Sequence, residues 1–226
     1  MTSPASRPYD LGQLLERRIS AERFGRYRRA VGGDAQQAAE LYVWNAEVAS
    51  AFGVVLGQFE VILKNALDEQ MVARQQASRR PGEWYDDLVT LPDVRRHEDV
   101  AKARGHIRSE GKVETHGLIV AELMFGFWRM LLGPRFQTTL WAQNLRHAFP
   151  GLRPQARRSV YDPIESLNKL RNRIAHHEPI YHLNLAGDHD ALLAVAGYID
   201  PEAAQWLGEW SRVPQLLTTR PTLARP

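Results

Sequence analysis

Between Leu167 and Tyr181 the chain gathers Arg171, Asn172, Arg173, His176 and His177 on and around one helix end, followed by Glu178 and Pro179. An imidazole can take and give a proton near neutral pH, and a guanidinium can hold phosphate charge. Together they suit a reaction at phosphorus that needs both services. Pro179 cannot continue a helix, so His176 falls in the last turn, where the carbonyl ends of a helix favour a cation. Asn172 lies four residues before His176, about 40° away around the axis. From there its amide can hydrogen-bond the ring and fix one tautomer. Arg171 is less convenient, about 7.5 Å along the axis from His176 and about 140° around it. Either the last turn distorts, or two copies of the helix meet about a two-fold axis and share two arginines and two histidines. Such a set can cleave RNA by attack of the 2′-hydroxyl, with a base for that hydroxyl, an acid for the leaving 5′-oxygen and cations for the phosphate, and with no metal or other cofactor. The plainer alternative makes Arg171 a half-buried partner of Glu178 and His176 a helix cap.

Helices must position these groups. Leu167, Leu170 and Ile174 fall within about 60° of one another on a helical wheel and predict the buried stripe of a helix within Pro154–His177, with a break or kink near its start at Pro163. Upstream, Leu11–Ile19 and Ala21–Val31 read as short amphipathic helices, the second capped by Ser20 and ended by Gly32 and Gly33. Asp34 then caps a long run from Ala35 to about Ala73, in which Gly53 and Gly57 mark a close crossing or a bend. Arg79, Arg80, Pro81 and Gly82 read as a loop. Further helices are predicted over Asp93–Arg108, His116–Leu132, Arg135–Ala148, Ala191–Ile199 and Pro201–Leu217. Residues 1–8 and 218–226 read as flexible tails. Strand periodicity and internal repeats are missing, so the fold class is all-α, a helical bundle in one domain over 1–226.

Composition sets the outer limits. The 226 residues are 44% hydrophobic and 24% charged, which excludes a disordered or fibrous chain. With no cysteine, disulfides, thiol nucleophiles and cysteine-ligated zinc are excluded. His177, Glu178 and His182 miss the zinc-helix spacing by one position, and Pro179 breaks the helix between them. The most apolar stretch noted, Leu118–Leu132, carries Glu122 and Arg129 and falls short of the 18 or so apolar residues of a membrane span. The first residues lack the apolar core of a secretory signal, so the expected place is the cytoplasm, with no membrane partner. The net charge is only +3, yet 25 of the 29 basic residues are arginine. That bias fits a nucleic-acid partner, and the codon usage of a GC-rich genome is the readier explanation. The Arg28-Arg29, Arg79-Arg80 and Arg95-Arg96 pairs read as solvated faces.

The segment Leu170-Arg171-Asn172-Arg173-Ile174-Ala175-His176-His177-Glu178-Pro179-Ile180 resembles the signature of HEPN domains, an arginine beside a polar residue with a histidine four to six positions later. It is similar in particular to the Abi-like, phage abortive-infection branch. Phe59-Glu60 with Lys64-Asn65, Phe125-Gly126-Phe127-Trp128 and the stretch from Ser211 to Leu217 extend the resemblance over about residues 40 to 221. The resemblance implies a HEPN-like helical bundle with additional peripheral helices, a homodimer, and metal-independent ribonuclease activity in phage defence or as a toxin, with RNA as substrate. An antitoxin protein or a small RNA would restrain it. By position, Arg171, Asn172 and His176 are the implied catalytic set. Lys64, Asn65, Arg173 and His177 are the implied RNA contacts, with a Glu60–Lys64 surface ion pair and a packed His177 as the alternatives. The position two after the histidine, a tyrosine in some HEPN toxins, is Glu178 here, and Tyr181 lies further on.

Overall fold

In a computed structural model describing residues 9–91 and 93–224, the chain is all-α, with no strand among the described residues. Residues 1–8, 225 and 226, part of the expected tails, lie outside the described residues. Among the described residues ten α-helices follow in order: α1 Leu11–Arg18, α2 Ala21–Ala30, α3 Ala35–Ser78, α4 Val94–Ser109, α5 His116–Glu122, α6 Phe125–Leu131, α7 Arg158–Ala175, α8 Leu185–Ile199, α9 Pro201–Trp210 and α10 Val213–Thr218.

The axis is α3, 44 residues and so about 66 Å long. Asp34 starts it by accepting the Gln37 N–H, and Arg79 ends it in the left-handed conformation. Its buried residues, among them Leu41, Val48, Phe52, Leu56, Phe59, Leu63, Leu67 and Met71, run its whole length and are covered from several sides. Helices α1 and α2 pack on it, as do α7, α8 and α10, while α5 and α6 join them and α4 reaches the bundle through α5. Each of these large apolar side chains contributes about 1.5–3 kcal/mol by leaving water, so one long helix organises the core of its neighbours. By length and composition α3 is also apolar enough to cross a membrane, although the sequence pointed to Leu118–Leu132 as the most apolar stretch. In the bundle, a third of its most apolar window is buried against the other helices.

Several predicted helices divide or dissolve. His116–Leu132 is two helices, because Leu123 and Met124 are extended. The break swings Phe125, Phe127 and Trp128 into the core, Trp128 Nε1 donating to the Leu123 carbonyl at 3.2 Å. Arg135–Ala148 forms a 3-10 turn, a π-type turn and a second 3-10 turn, because Pro134 opens the segment and Phe136, Leu140, Trp141 and Leu145 must all face inward. Pro201–Leu217 divides at Ser211, whose hydroxyl bonds both the His189 ring and the Val213 N–H. Within α7, Pro163 is accommodated inside the helix rather than ending it. The C-terminal segment, expected to be flexible, is docked as far as Ala224: Arg220 stacks on Trp44 and donates to the Tyr181 carbonyl, and the Ala224 N–H donates to the Ala30 carbonyl at 2.8 Å.

The loop after α3 is closed by polar bonds at the edge of the core. Trp84 is buried, and its Nε1 donates to Asp68 on α3 at 2.7 Å. His116, the first residue of α5, lies between two carboxylates, with Nε2 2.8 Å from Asp68 and Nδ1 2.8 Å from Glu83, and stacks on Tyr85. Burial works against the imidazolium, and the two carboxylate hydrogen bonds outweigh it, so the pKa of His116 is raised. A raised folded pKa contributes stability in full below the unfolded value of about 6.5, and that contribution is lost as pH climbs through the folded value. Chemical denaturation of the wild type will therefore show stability falling from about pH 6.5 upward, and His116→Gln will flatten that slope. Equal pH dependence in the two proteins would remove His116 as its source.

Candidate functional site

Helix α7 buries Val160, Ile164, Leu167 and Leu170 and leaves Asn172 exposed; of the stripe read from the sequence, Leu167 and Leu170 are buried and Ile174 is half-buried. The helix ends in a Schellman motif: the Glu178 N–H donates to the Arg173 carbonyl at 2.8 Å and the His177 N–H to the Ile174 carbonyl at 3.0 Å. His176 is the C-cap and is exposed. His177 takes the left-handed position with φ +54°, which glycine usually fills. It is exposed, so the packed alternative for this residue fails: the turn breaks the wheel one residue earlier than a regular helix would. An ion pair, Arg173 to Glu178 at 3.4 Å, stands where an apolar contact often closes this motif.

Beyond Pro179 the chain becomes a strap against α3. Asn45, only 6% exposed, uses one side-chain oxygen to accept the N–H groups of Ile180 at 2.8 Å and Tyr181 at 3.0 Å. Tyr181 donates its hydroxyl to the Arg26 carbonyl on α2 at 3.2 Å. These bonds fix the end of α7 between α2 and α3.

Two contiguous clefts result. The larger, about 480 Å³, opens between α2 and the α7 end and is lined by Arg23, Arg26, Arg173, His176 and Glu178, among others. The second, about 370 Å³, continues past the strap and is lined by Arg26, Arg29, Arg173, Pro179, Tyr181 and His182. Arg26 has Glu22 at 3.7 Å, whereas no carboxylate lies within 4.0 Å of Arg23 or Arg29 among the described residues. Positions 23, 26 and 29 recur every three residues on one side of α2, a row present in the sequence with only Arg28-Arg29 as an adjacent pair. His182 has its pKa lowered, first by burial and then by Arg173 and Arg220, which leaves a neutral ring in a cationic surround.

Arg171 points elsewhere. Its Nε lies 4.0 Å from Glu60 on α3, not beside Glu178, and Arg173 takes the place near His176 instead. Lys64 neither pairs with Glu60 nor reaches the clefts: it donates to the Ala121 carbonyl at 3.1 Å and ties α3 to the end of α5. Asn65 is exposed on α3. Asn172 and His176 are joined through the backbone, His176 N–H to Asn172 carbonyl at 3.0 Å, and among the described residues no side-chain hydrogen bond links them.

Since Arg171 meets Glu60 and Ile180 meets Asn45, α7 and its strap run antiparallel to α3, and His176 is level with the stretch between those contacts. Along that stretch Gly53, Val54, Gly57 and Val61 are exposed. Val54 is 61% and Val61 43% exposed, and a side chain added at Gly53 or Gly57 would meet no atom within 4 Å. The helix is continuous through this stretch, and no other element of the chain crosses it closely at either glycine. A bare, close-approach surface therefore borders Arg171, on a different side of α7 from the arginine row of α2.

His106 on α4, Glu110 just after it and Glu122 at the end of α5 place one ligand atom each within 4.8 Å of one another and could hold a metal ion. His106 Nδ1 already meets Glu122 at 2.8 Å and Lys112 meets Glu110 at 2.6 Å.

Two substitutions test the frame of the site. Asn45→Ala leaves the buried Ile180 N–H and the half-buried Tyr181 N–H without their acceptor and will cost about 2–3 kcal/mol in urea unfolding; a loss below about 0.5 kcal/mol would show that Asn45 does not anchor the strap. His177→Gly relieves the left-handed backbone and will raise stability by about 0.5–1 kcal/mol, read as a shift of the denaturation midpoint.

Compared with known proteins, the chain matches no family model, no curated protein and no solved structure.

Proposed function

We propose that this protein is a metal-independent endoribonuclease of the Abi-like HEPN type, cytoplasmic, acting as a homodimer in phage abortive infection or as a toxin. The observation that carries the reading is His176, an exposed imidazole on a helix end opening into a cleft lined by Arg23, Arg26 and Arg173. A base that takes the 2′-hydroxyl proton lets O2′ bond to phosphorus while the P–O5′ bond breaks, and an acid returns a proton to the leaving O5′. The products carry a 2′,3′-cyclic phosphate and a 5′-hydroxyl. His176 supplies the base or the acid, and the guanidinium groups hold the charge that builds on the phosphate oxygens.

One chain offers His176 but turns Arg171 away from it, toward the bare face around Gly53 and Gly57. A second copy seated on that face would bring two α7 ends and two Arg171 side chains together, which is the two-fold arrangement this chemistry needs. Glycines four apart allow two helices to approach closely there. An antitoxin protein or small RNA that covers the face or the clefts would silence the enzyme.

A second reading, an RNA-binding regulatory module without cleavage, is favoured by the same divergence of Arg171 and His176 and by the absence of an Asn172–His176 side-chain bond among the described residues. One comparison separates the two. Wild type, His176→Ala and Arg171→Ala are incubated with labelled RNA, and sedimentation of Gly57→Leu reports the dimer. The enzyme reading expects cyclic-phosphate products from wild type alone, a loss of at least about a hundredfold in both alanine variants, and a monomeric, inactive Gly57→Leu. Binding without products from any of the proteins selects the module. Equal cleavage by all three contradicts the assignment of the site.

A further inference from the structure

We infer that the cleft beyond the strap is a subsite for one nucleotide of single-stranded RNA, its base held on Pro179, Tyr181 and His182 and its phosphate on Arg26, Arg29 and Arg173. The inference rests on the ribonuclease reading and specifies which part of the substrate reaches past His176 and what holds it.

The two clefts share Arg26, Arg173 and Pro179, so a chain bound to one continues into the other. Their linings differ in kind. The cleft at His176 is mostly charged, with Arg23, Glu22 and Glu178 around the ring. The second cleft combines a cationic edge with an apolar and aromatic floor of Ala30, Pro179 and Tyr181. A phosphate alone needs no such floor; a nucleotide does, because its base has a face to cover. At about 370 Å³ the cleft is at the small end of ligand sites, a size that suits a single nucleotide.

The floor is rigid. Tyr181 is held from three directions: its N–H by Asn45, its hydroxyl by the Arg26 carbonyl, and its ring against Tyr27 at 5.2 Å. The His182 ring stands edge-on to it at 5.4 Å and is exposed at the rim, where a planar base can lie against it. Because burial and the neighbouring arginines favour its neutral form, His182 stacks and hydrogen-bonds without adding charge. Arg29 supplies the free cation, with its guanidinium near Gly25 and no carboxylate within 4.0 Å among the described residues. Along α2, Arg23 and Arg29 are about 9 Å apart on the axis, enough to serve successive phosphates of an extended strand.

The two kinds of contact fail differently. Binding is followed by fluorescence anisotropy with a labelled single-stranded RNA of about twelve nucleotides, 2′-O-methylated so that it binds without being cut, from low to high salt. Wild type, Arg29→Gln, His182→Ala and the α4 charge control Lys102→Gln are compared, each with its melting temperature. The expected result is about fivefold to tenfold weaker binding by Arg29→Gln, with the salt slope reduced by about 0.7, the value for one phosphate of a single strand. His182→Ala is expected to weaken binding by about fivefold or more with an unchanged slope, because a stacking contact releases no counterions. Lys102→Gln should match wild type. Wild-type affinity in Arg29→Gln overturns the subsite, while loss in Arg29→Gln with wild-type affinity in His182→Ala reduces it to a bare anion contact and overturns it as a nucleotide site. No binding by wild type even at low salt instead removes the ribonuclease reading on which the subsite stands.

Discussion

A single side-chain oxygen, that of Asn45, accepts two backbone N–H groups in the interior and decides where the strap after α7 can lie. Buried N–H groups without an acceptor are costly, so Ile180 and Tyr181 have one place to be. Once they are there, Pro179 and the helix end before it are fixed against α3, and Tyr181 can reach over to the α2 carbonyl. The clefts, the exposure of His176 and the separation of Arg171 from it all follow from that attachment. It is a long-range bond, from the first third of the chain to its last quarter, and it works because α3 is rigid enough to carry Asn45 to the right level.

The same attachment explains the division of labour among the arginines. Arg173 lies two positions after Arg171, about 200° around the helix, so the two must face different surroundings. The strap side brings Arg173 to α2, and the α3 side brings Arg171 to Glu60. One helix end thus serves two surfaces: a cationic groove shaped by this chain's own helices, and a bare apolar face that its own helices leave uncovered. The Arg173–Glu178 pair at 3.4 Å and the Arg26–Glu22 pair at 3.7 Å are exposed and weakly held, so both guanidinium groups can change partner at small cost.

Stability is distributed away from this region. The densest aromatic packing lies around Trp84, Tyr85, Phe127 and Trp128, near the other end of α3, where the Asp68–His116–Glu83 contacts also close the loop after that helix. Asp87 in the same loop, although burial opposes its charge, is held at a pKa of about 2 by hydrogen bonds from Val89, Thr90 and Arg80. The α2–α7 end rests on a smaller aromatic cluster, Tyr27 with Tyr42 and Tyr181, beneath its exposed cations and the left-handed His177.

The sequence by itself determined the helical class, the caps at Ser20 and Asp34, the buried stripe Leu167-Leu170 and the helix end before Pro179, because these rest on periodicity, local hydrogen bonding and the missing proline N–H. It also contained the arginine row on α2, unremarkable until another element gives it a facing wall. Only tertiary structure decided the rest. The break at Leu123–Met124 and the irregular turns over 134–148 arise where aromatic side chains must turn inward against local helix preference. Whether Arg171 or Arg173 accompanies His176 depends on which neighbour packs on each side of α7, and His177 faces water because a Schellman turn changes direction where a wheel assumes none. Local forces act between residues a few positions apart and are written in the chain order; the meeting of Asn45 with Ile180, or of Arg26 with Arg173, is set by the shape of the whole core.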